Sequence, residues 1–318
     1  MTSERPENLA SPGSGIWRWA LPLLLAATVA GALSVGAGGW DASIIWELRL
    51  PRVLAGLGVG ALLAQAGLAM QILLRNPLAD PYVLGASGGA GLGAIAALLL
   101  GVALWLGSVL GAALALLLLL LLGQRMLASR DDDASAQLIL IGAMLAAMAG
   151  ALSTLLLTLT PDQQLRGAMF WLVGNLSGAT HGVWLCGLSA VLAAWMAWRR
   201  RRYDRLMLGS EVAWLLGEPV RRARLELVLL AALATGAAVA VAGTVGFVGL
   251  VVPQALRLAG MQRLRDLAWT VPLAGAVLVV AADTLARGVA MPYELPVGAI
   301  TALVGAPVFV HMLRRVRA

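Results

Sequence analysis

Long runs of apolar residues, separated by short polar segments, fill almost the whole chain after its first 16 residues. A helix that crosses a bilayer needs about 20 apolar residues, each adding about 1.5 Å of length. Runs of this length predict single membrane-spanning helices at 17–36, 53–74, 136–159, 182–198, 267–286 and 295–313. The pattern is typical of an all-α integral membrane protein.

Two further apolar runs contain no charged residue and exceed one span. The run 83–122 would measure about 60 Å as one helix, so it predicts two spans with a bend at Gly101 and Gly107. The run 227–256 would measure about 45 Å, which predicts one full span followed by a short or broken one, giving about ten spans in total. The predicted helix breaks are Asn76 and Pro77 after the second span, and Gly243, Gly246, Gly249 and Pro253 in the last run.

Composition supports a membrane protein. In soluble domains about a quarter of all residues are charged. In this chain 12% of the residues are charged, 60% are hydrophobic and the mean hydropathy is +0.88. The net charge of +7 comes from 23 basic residues, all arginine. Because these arginines lie mostly between apolar runs, they indicate membrane orientation and not a nucleic-acid partner. The chain has a single cysteine, Cys186, which excludes an intrachain disulfide. The sequence also lacks a Cys/His cluster, so it predicts no metal site.

The positions of the arginines predict the orientation of the chain. Ten spans put both termini on one side, and 19 of the 23 arginines then lie on that side. The positive-inside rule therefore predicts cytoplasmic termini in a bacterial inner membrane. Residues 1–16 predict a disordered cytoplasmic tail, because they lack the features of a cleaved signal peptide, and residues 17–318 predict one polytopic domain. The four arginines on the other side are Arg49, Arg52, Arg166 and Arg287.

The two halves of the chain resemble each other. The second span leads through Asn76 and Pro77 into the glycine-rich stretch 85–91, and the seventh leads into the glycine-rich stretch 243–249. These two spans cross the bilayer in opposite directions, which is typical of an inverted repeat with a substrate path between its halves. Packing of small residues between helices would also produce some of this similarity.

The segment 199–225 is the longest strongly charged stretch and contains eight arginines. It predicts two short helices that a cytoplasmic partner could contact. An ordinary arginine-rich loop is the alternative, and Arg199 to Arg202 favour an anchor at anionic lipid. The residues of its L-x-L-G-x-E-x-A-x-x-L-G pattern are Leu206, Leu208, Gly209, Glu211, Ala213, Leu216 and Gly217.

Four blocks, taken in order, resemble the permeases of type II ATP-binding-cassette importers for iron chelates (siderophore or haem) and vitamin B12. They are LRLPRVLAGLGVGALLAQAGLAMQILLRNPLADPYVLGASGGAG, LMLGSEVAWLLG, GTVGFVGLVVPQALRLAG and ELPVGAITALVGAPVFVHML, and together they span nearly the whole chain after the tail. The family usually has histidine after the proline at 253, where this chain has Gln254.

The resemblance implies a homodimer of ten-helix subunits, two cytoplasmic ATPase subunits and a periplasmic substrate-binding protein. It implies no cofactor on this chain, since ATP-Mg would bind the ATPase. A chain without lysine cannot form the G-x-x-x-x-G-K-[ST] phosphate-binding loop. The chain is therefore expected to be a translocation subunit and not an enzyme.

The resemblance also implies roles for particular residues. The pattern in 199–225, with Glu218 added, would couple to the ATPase, with the two glutamates meeting basic groups there. Arg49 and Arg52 would meet acidic residues of the binding protein; the alternative is an interfacial arginine that is solvated or paired with Glu47. The expected substrate-path residues are Met144, Met148, Gln163, Trp171 and Asn175, although helix packing and loop polarity also explain them.

Two other functions remain open. An ion-coupled secondary transporter needs an acidic residue within its spans, and Asp283 is the only deep candidate. Arg287, four residues later, favours a self-contained ion pair on one helix face. A membrane-embedded enzyme would need a convergent cluster of catalytic side chains, which the sequence does not suggest.

Overall fold

The computed structural model describes residues 14–36, 41–129, 133–289 and 293–316, and all regular structure within them is helical. Most of the predicted tail, residues 1–13, and two aspartates of the predicted polar loop, Asp131 and Asp132, lie outside these residues. The helices are α1 Ser14–Ser34, α2 Ala42–Ile44, α3 Leu50–Leu74, α4 Ala86–Leu99, α5 Leu104–Leu122, α6 Gln124–Ala128, α7 Asp133–Thr158, α8 Asp162–Val173, α9 Gly182–Met207, α10 Ser210–Leu215, α11 Val220–Ala242, α12 Val248–Leu258, α13 Leu264–Gly288 and α14 Val297–Val316.

Ten of these helices are apolar enough to serve as spans. Six are long, namely α3, α5, α7, α9, α11 and α13, and four shorter ones, α1, α4, α12 and α14, complete the set among the described residues. The prediction of about ten spans in an all-α membrane protein is confirmed. Below, the end of the molecule that carries α10 is called the inner end, and the opposite one the outer end.

The helix α3 lies at the centre and is buried along most of its length. It packs against α9, α11, α12 and α13. Glycines allow these contacts, since a Cβ on Gly60 would lie 2.2 Å from the carbonyl oxygen of Gly275, and one on Gly67 would lie 2.0 Å from that of Gly249. Close approach of backbones through small residues is how helices associate inside a membrane.

Two of the predicted helix breaks are wrong, because Gly249 and Pro253 lie inside the continuous helix α12. Proline cannot donate to the carbonyl four residues earlier, which here is that of Gly249. Gln71 of α3 donates its Nε2–H to this carbonyl oxygen at 3.3 Å, so the carbonyl has a partner although the proline lacks an N–H. The chain leaves helical structure earlier, between Gly243 and Phe247.

The predicted bend at Gly107 is also absent. The chain turns at Gly101, where φ is +70°, and Gly107 lies within α5. A Cβ on Gly107 would lie 2.3 Å from the carbonyl oxygen of Gly93, so this glycine serves the contact between α4 and α5.

Most of the predicted loop 199–225 is helical. The helix α9 continues to Met207 and α11 begins at Val220, so α10 is the one short helix between them, where two were predicted. The extension of both long helices is stabilised by Glu226, which accepts from Arg199 at 3.1 Å and from Arg202 at 2.7 Å.

Candidate functional site

Three breaks in helical structure meet inside the molecule. The amide of Asn175, after α8, donates to the carbonyl oxygen of Ala242, where α11 ends, at 2.8 Å. The amide of Gly298, in the first turn of α14, donates to the carbonyl oxygen of Gly174 at 3.3 Å. Irregular backbone at membrane depth requires such internal partners, because lipid supplies none.

Tyr82 joins the same junction from the first half of the chain. It lies in a 3₁₀ turn, Pro81–Leu84, that precedes α4. Its hydroxyl donates to the carbonyl oxygen of Val245 at 2.9 Å and accepts from the amide of Val245 at 2.8 Å. The irregular segments of the two halves are therefore fixed to each other. The predicted breaks Asn76 and Pro77 lie in the loop between α3 and this turn.

The junction excludes side chains at two glycines. Gly243 has φ of +66°, and a Cβ there would lie 1.7 Å from the carbonyl oxygen of Trp171. A Cβ on Gly298 would lie 1.8 Å from the carbonyl oxygen of Val173. The backbones of α8 and α14 and of the segment after α11 therefore come together as closely as peptide groups can. Gly246 meets no atom in this way.

A cavity of about 600 Å³ lies beside this junction. Three of the predicted substrate-path residues, Gln163, Trp171 and Asn175, line it. The other lining residues were not predicted to belong to the path. Among these, the rings of Trp105 and His181 lie 5.8 Å apart. The other two predicted path residues, Met144 and Met148, lie elsewhere: both are exposed on α7, and Met148 lines an apolar groove against α4 and α5.

A buried ion network closes the outer end. Arg52 of α3 contacts Asp283 of α13 through Nε at 3.1 Å and Nη2 at 2.9 Å, and its Nη1 donates to Glu294 at 2.9 Å. The Nε of Arg287 lies 3.1 Å from Asp283, close enough for an ion pair although it makes no hydrogen bond there. Asp283 and Arg287 pair as expected, but the pair is not self-contained, because Arg52 shares the carboxylate.

Two arginines of this region also bind the carbonyl end of α1. Arg49 donates to the carbonyl oxygens of Leu33 and Gly36 at 2.7 and 3.2 Å. Arg287 donates to those of Val35 and Ala32 at 3.1 and 3.2 Å. Positive charge at the carbonyl end of a helix is favourable. Arg49 and Arg52 are thus buried inside the chain, neither solvated nor displayed at its surface.

Glu294 is the network member nearest to solvent. Burial raises the pKa of this carboxyl, but hydrogen bonds from Ser177 and Arg52 and the charge of Arg52 outweigh burial, so its pKa lies below the ordinary value. The carboxylate is therefore held in its charged form and links the segment before α14 to the loop after α8.

The inner end carries the segment that sequence predicts to couple with an ATPase. Gly209, with φ of +120°, connects α9 to α10, and a Cβ on it would lie 3.4 Å from Nη1 of Arg75. The carboxylate of Glu218 accepts from Arg205 and lies 3.2 Å from Nε of Arg202, so this glutamate is used within the chain. Glu211, in contrast, is exposed.

One face of α10 is anchored and the other is exposed. Ala213 is buried, and the hydroxyl of Ser210 accepts from Nη2 of Arg224 at 2.7 Å. Arg224 also donates to the carbonyl oxygen of Ser129 at 2.7 Å, an anchoring role that sequence did not suggest. The exposed large apolar residues of the segment are Leu208, Val212, Trp214, Leu215 and Leu216. Of the remaining predicted residues, Leu206 is buried and Gly217 supports a turn with φ of +79°.

Ten apolar helices with α3 at their centre, broken helices that meet in the interior and a short anchored helix at one end define a polytopic transport permease. The chain belongs to the FecCD transport family, whose sequence profile matches residues 21–315. Members of this family are permease subunits of ATP-binding-cassette transporters, in which a separate subunit hydrolyses ATP. The chain is accordingly a translocation subunit without catalytic activity.

Its relatives include the vitamin B12 import system permease protein of Vibrio cholerae serotype O1, which is 40% identical over 307 residues (94% of this chain and 82% of that protein). The hemin transport system permease protein of Yersinia pestis is 38% identical over 270 residues, 80% of this chain and 78% of that protein. The structure is similar to an inward-facing metal-chelate type ABC transporter, with a TM-score of 0.85, 28% identity and coverage of 95% of this chain and 99% of that one.

Proposed function

We propose that this chain is the membrane-spanning subunit of an ATP-driven importer for vitamin B12 or an iron chelate such as haem or a siderophore. The named substrates of its relatives, vitamin B12 and hemin, support this range. The chain would bind no ATP-Mg itself. ATP would bind two cytoplasmic ATPase subunits, and a periplasmic binding protein would deliver the substrate to a homodimer in the bacterial inner membrane, with both termini in the cytoplasm.

The observation that carries the proposal is the exposed apolar face of α10, held between two long spans. An ATPase that binds this face would move α9 and α11 directly, because both are continuous helices from the inner end into the membrane. Such movement of rigid elements about a packed interface is a common form of conformational switching. Alternating access would follow if the motion opened one end of the path while closing the other.

The substrate-path residues are proposed in two places. Gln163, Trp171 and Asn175 line the outer cavity, where amides and an aromatic ring suit a large polar ligand. Met144 and Met148 would face the path or a second copy of the chain, since they are exposed on α7.

Docking of a binding protein to Arg49 and Arg52 would require the loss of contacts that these arginines make within the chain. Both side chains are buried and bonded, so an acidic partner would have to replace Glu294 or the carbonyl groups of α1. Glu294, with the more exposed side chain of the Arg52–Glu294 pair, is the easier group to displace.

The alternative, an ion-coupled secondary transporter, is less well supported. Its candidate proton or sodium site, Asp283, already contacts Arg52 and Arg287. Two arginines already occupy this carboxylate as ion-pair partners, which leaves little room for another cation.

Transport in proteoliposomes that contain this chain and its partner ATPase tests the proposal. Uptake of vitamin B12 or an iron chelate should require ATP and the ATPase, and Glu211→Arg or Gly209→Trp should abolish substrate-stimulated ATP hydrolysis without preventing membrane insertion. Glu47→Arg, a matched charge reversal at the outer end, should leave hydrolysis unchanged. Uptake driven by an ion gradient alone would contradict the proposal and favour the secondary transporter.

A further inference from the structure

A row of ion pairs joins α9 to α11 at the inner end of the molecule. The carboxylate of Glu226, in α11, accepts from Arg199 at 3.1 Å and from Arg202 at 2.7 Å. Its second oxygen accepts from the hydroxyl of Tyr203, a fully buried side chain of α9, at 3.2 Å. Since residues three and four positions apart share a helix face, one face of α9 supplies all three partners.

A second carboxylate adds further contacts to this row. Glu218, in the turn that leads from α10 into α11, accepts from Nη1 of Arg205 and lies 3.2 Å from Nε of Arg202. Arg202 therefore contacts both carboxylates, Glu218 through Nε and Glu226 through Nη1. The arginines of the row extend about 9 Å along α9, at 1.5 Å for each residue. The five charged residues, Arg199, Arg202, Arg205, Glu218 and Glu226, are called the inner ladder below.

The inner ladder is shielded from solvent more than an ordinary surface ion pair. The side chains of Arg202, Glu218 and Glu226 are 17, 13 and 18% exposed. Salt screens partly buried pairs less than exposed ones, and charges that form a network contribute more than isolated surface pairs do. The inner ladder therefore holds α9 and α11 in a defined relation to each other.

The connections of α10 to the two long helices are less rigid than this ladder. Gly209 precedes α10 with φ of +120°, and Gly217 follows it with φ of +79°. Glycine changes its backbone conformation at little steric cost, so a turn built on glycine can bend when a force acts on it. The bond from Arg224 to Ser210 fastens α10 to α11, whereas the chain reaches α9 through Gly209. The inner ladder joins α9 to α11 without passing through either glycine.

We propose that the inner ladder makes α9 and α11 move as one body when a partner acts on α10, with Glu226 as its main positioning residue. This inference rests on the transport function proposed above. Without the ladder, a force on α10 would partly bend the turn at Gly209 instead of moving α9, and fewer substrate molecules would cross for each ATP hydrolysed. Binding of the ATPase would persist, because the exposed face of α10 takes no part in the ladder.

The ratio of substrate transported to ATP hydrolysed, measured with the complete complex in proteoliposomes, tests the proposal. Glu226→Gln keeps the size of the side chain and removes the charge that Arg199 and Arg202 share. It should lower this ratio about threefold, within the range typical of networks that couple distant sites, while ATP hydrolysis continues. Asp204→Asn, the same kind of change at an exposed acid of α9 outside the ladder, should leave the ratio unchanged. A mere loss of folded protein would lower both rates equally and would not alter the ratio.

The distance between the two helices gives a second measurement, which needs no substrate. In a Cys186→Ser background, spin labels at Arg201→Cys and Arg222→Cys, exposed positions of α9 and α11, report the separation of the inner ends of these helices in the complex. The distribution of distances should be narrow while the ladder is complete and broader when Glu226→Gln is added. Should Glu226→Gln fail to assemble with the ATPase, Glu218→Gln removes the other carboxylate and should have the same two effects.

The outcomes distinguish a failure of this inference from a failure of the proposed function. If the natural complex shows no ATP-dependent uptake, the proposed function is wrong and the inference is wrong with it. If the natural complex transports substrate but the ladder variant keeps either the natural ratio or the narrow distribution of distances, the inference alone is overturned.

Discussion

At the scale of single residues, the outer ion network shows how a membrane protein tolerates buried charge. Arg52 contacts two carboxylates from distant parts of the chain, Asp283 and Glu294. Buried charges are stable only when they are paired and hydrogen-bonded, and removal of one partner costs far more than an exposed ion pair would. The network therefore stabilises the contact between α3 and α13 only while it is complete.

Asp283→Asn should destabilise the folded protein by about 3 kcal/mol, because Arg52 and Arg287 would lose their shared buried counter-charge. The effect is measurable as a lower melting temperature in detergent. Glu47→Gln, a change at an exposed acid of the same outer end, is the matched control and should leave the melting temperature unchanged. Equal behaviour of the two variants would show that the network adds no stability.

The stability that Glu294 supplies should depend on pH. Its pKa is lower in the folded state than the ordinary value of 4.5, so this stabilisation is complete above about pH 4.5 and is lost as the pH falls through the folded-state pKa. Melting temperatures of the natural protein and Glu294→Gln should thus differ at pH 7 and converge in acid. A difference in melting temperature that stays the same at all pH values would show that the substitution acts through something other than the charge of Glu294. The side chain is 48% exposed, so the difference should be small.

Sequence predicted part of this network and missed the rest for a physical reason. The four-residue spacing of Asp283 and Arg287 is a local signal, since such residues share a helix face. The bond from Arg52 to Asp283 joins residues 231 positions apart, and no local pattern reports such a pairing. The same holds for Arg224, which resembles the other arginines of its segment until its partners are seen.

At the scale of helices, backbone groups determine how the spans fit together. The pattern of apolar residues predicted the spans well, because the thickness of a bilayer imposes their length. It could not distinguish a glycine that ends a helix, such as Gly243, from one that permits a close contact, such as Gly249. That distinction depends on the neighbouring helix and not on the local sequence.

The contact between α3 and α12 provides a direct test of this dependence. Gln71→Leu should destabilise the protein by about 1–3 kcal/mol, because the carbonyl group of Gly249 would lose its partner inside the membrane. In a Pro253→Ala background, the new N–H of residue 253 can donate to that carbonyl, so Gln71→Leu should cost less there. A double-mutant cycle based on unfolding measures the difference, and additive effects would show that Gln71 does not compensate for the proline.

At the scale of the whole molecule, the chain is two half-structures whose irregular segments meet in the interior. Tyr82 from the first half and Val245 from the second exchange hydrogen bonds there. Sequence indicated the inverted repeat through two glycine-rich stretches, although it gave no sign that tyrosine would connect them. The outer cavity lies against this junction, so a relative movement of the halves would alter its shape.

The orientation of the molecule should be visible to membrane-impermeant thiol reagents. In a Cys186→Ser background, a cysteine at Leu215 on the exposed face of α10 should react only after the inner membrane is opened. A cysteine at Ser43, near the outer end, should react in intact spheroplasts. Both positions are exposed, so access and not burial decides the result. Reaction of Leu215→Cys in intact spheroplasts would contradict the proposed orientation and place α10 on the outer side of the membrane.

The arginines that hold the carbonyl end of α1 have a consequence for the order in which the protein is made. Arg49 follows α1 almost at once during synthesis, but Arg287 is separated from Val35 by 252 residues. Helix α1 therefore receives the hydrogen bonds of Arg287 only after synthesis has reached the end of α13. In a nascent or truncated chain that ends before α13 and α14, Arg49 would bind the carbonyl end of α1 without Arg287. Proteolytic quality control could use this difference to distinguish unfinished molecules from finished ones.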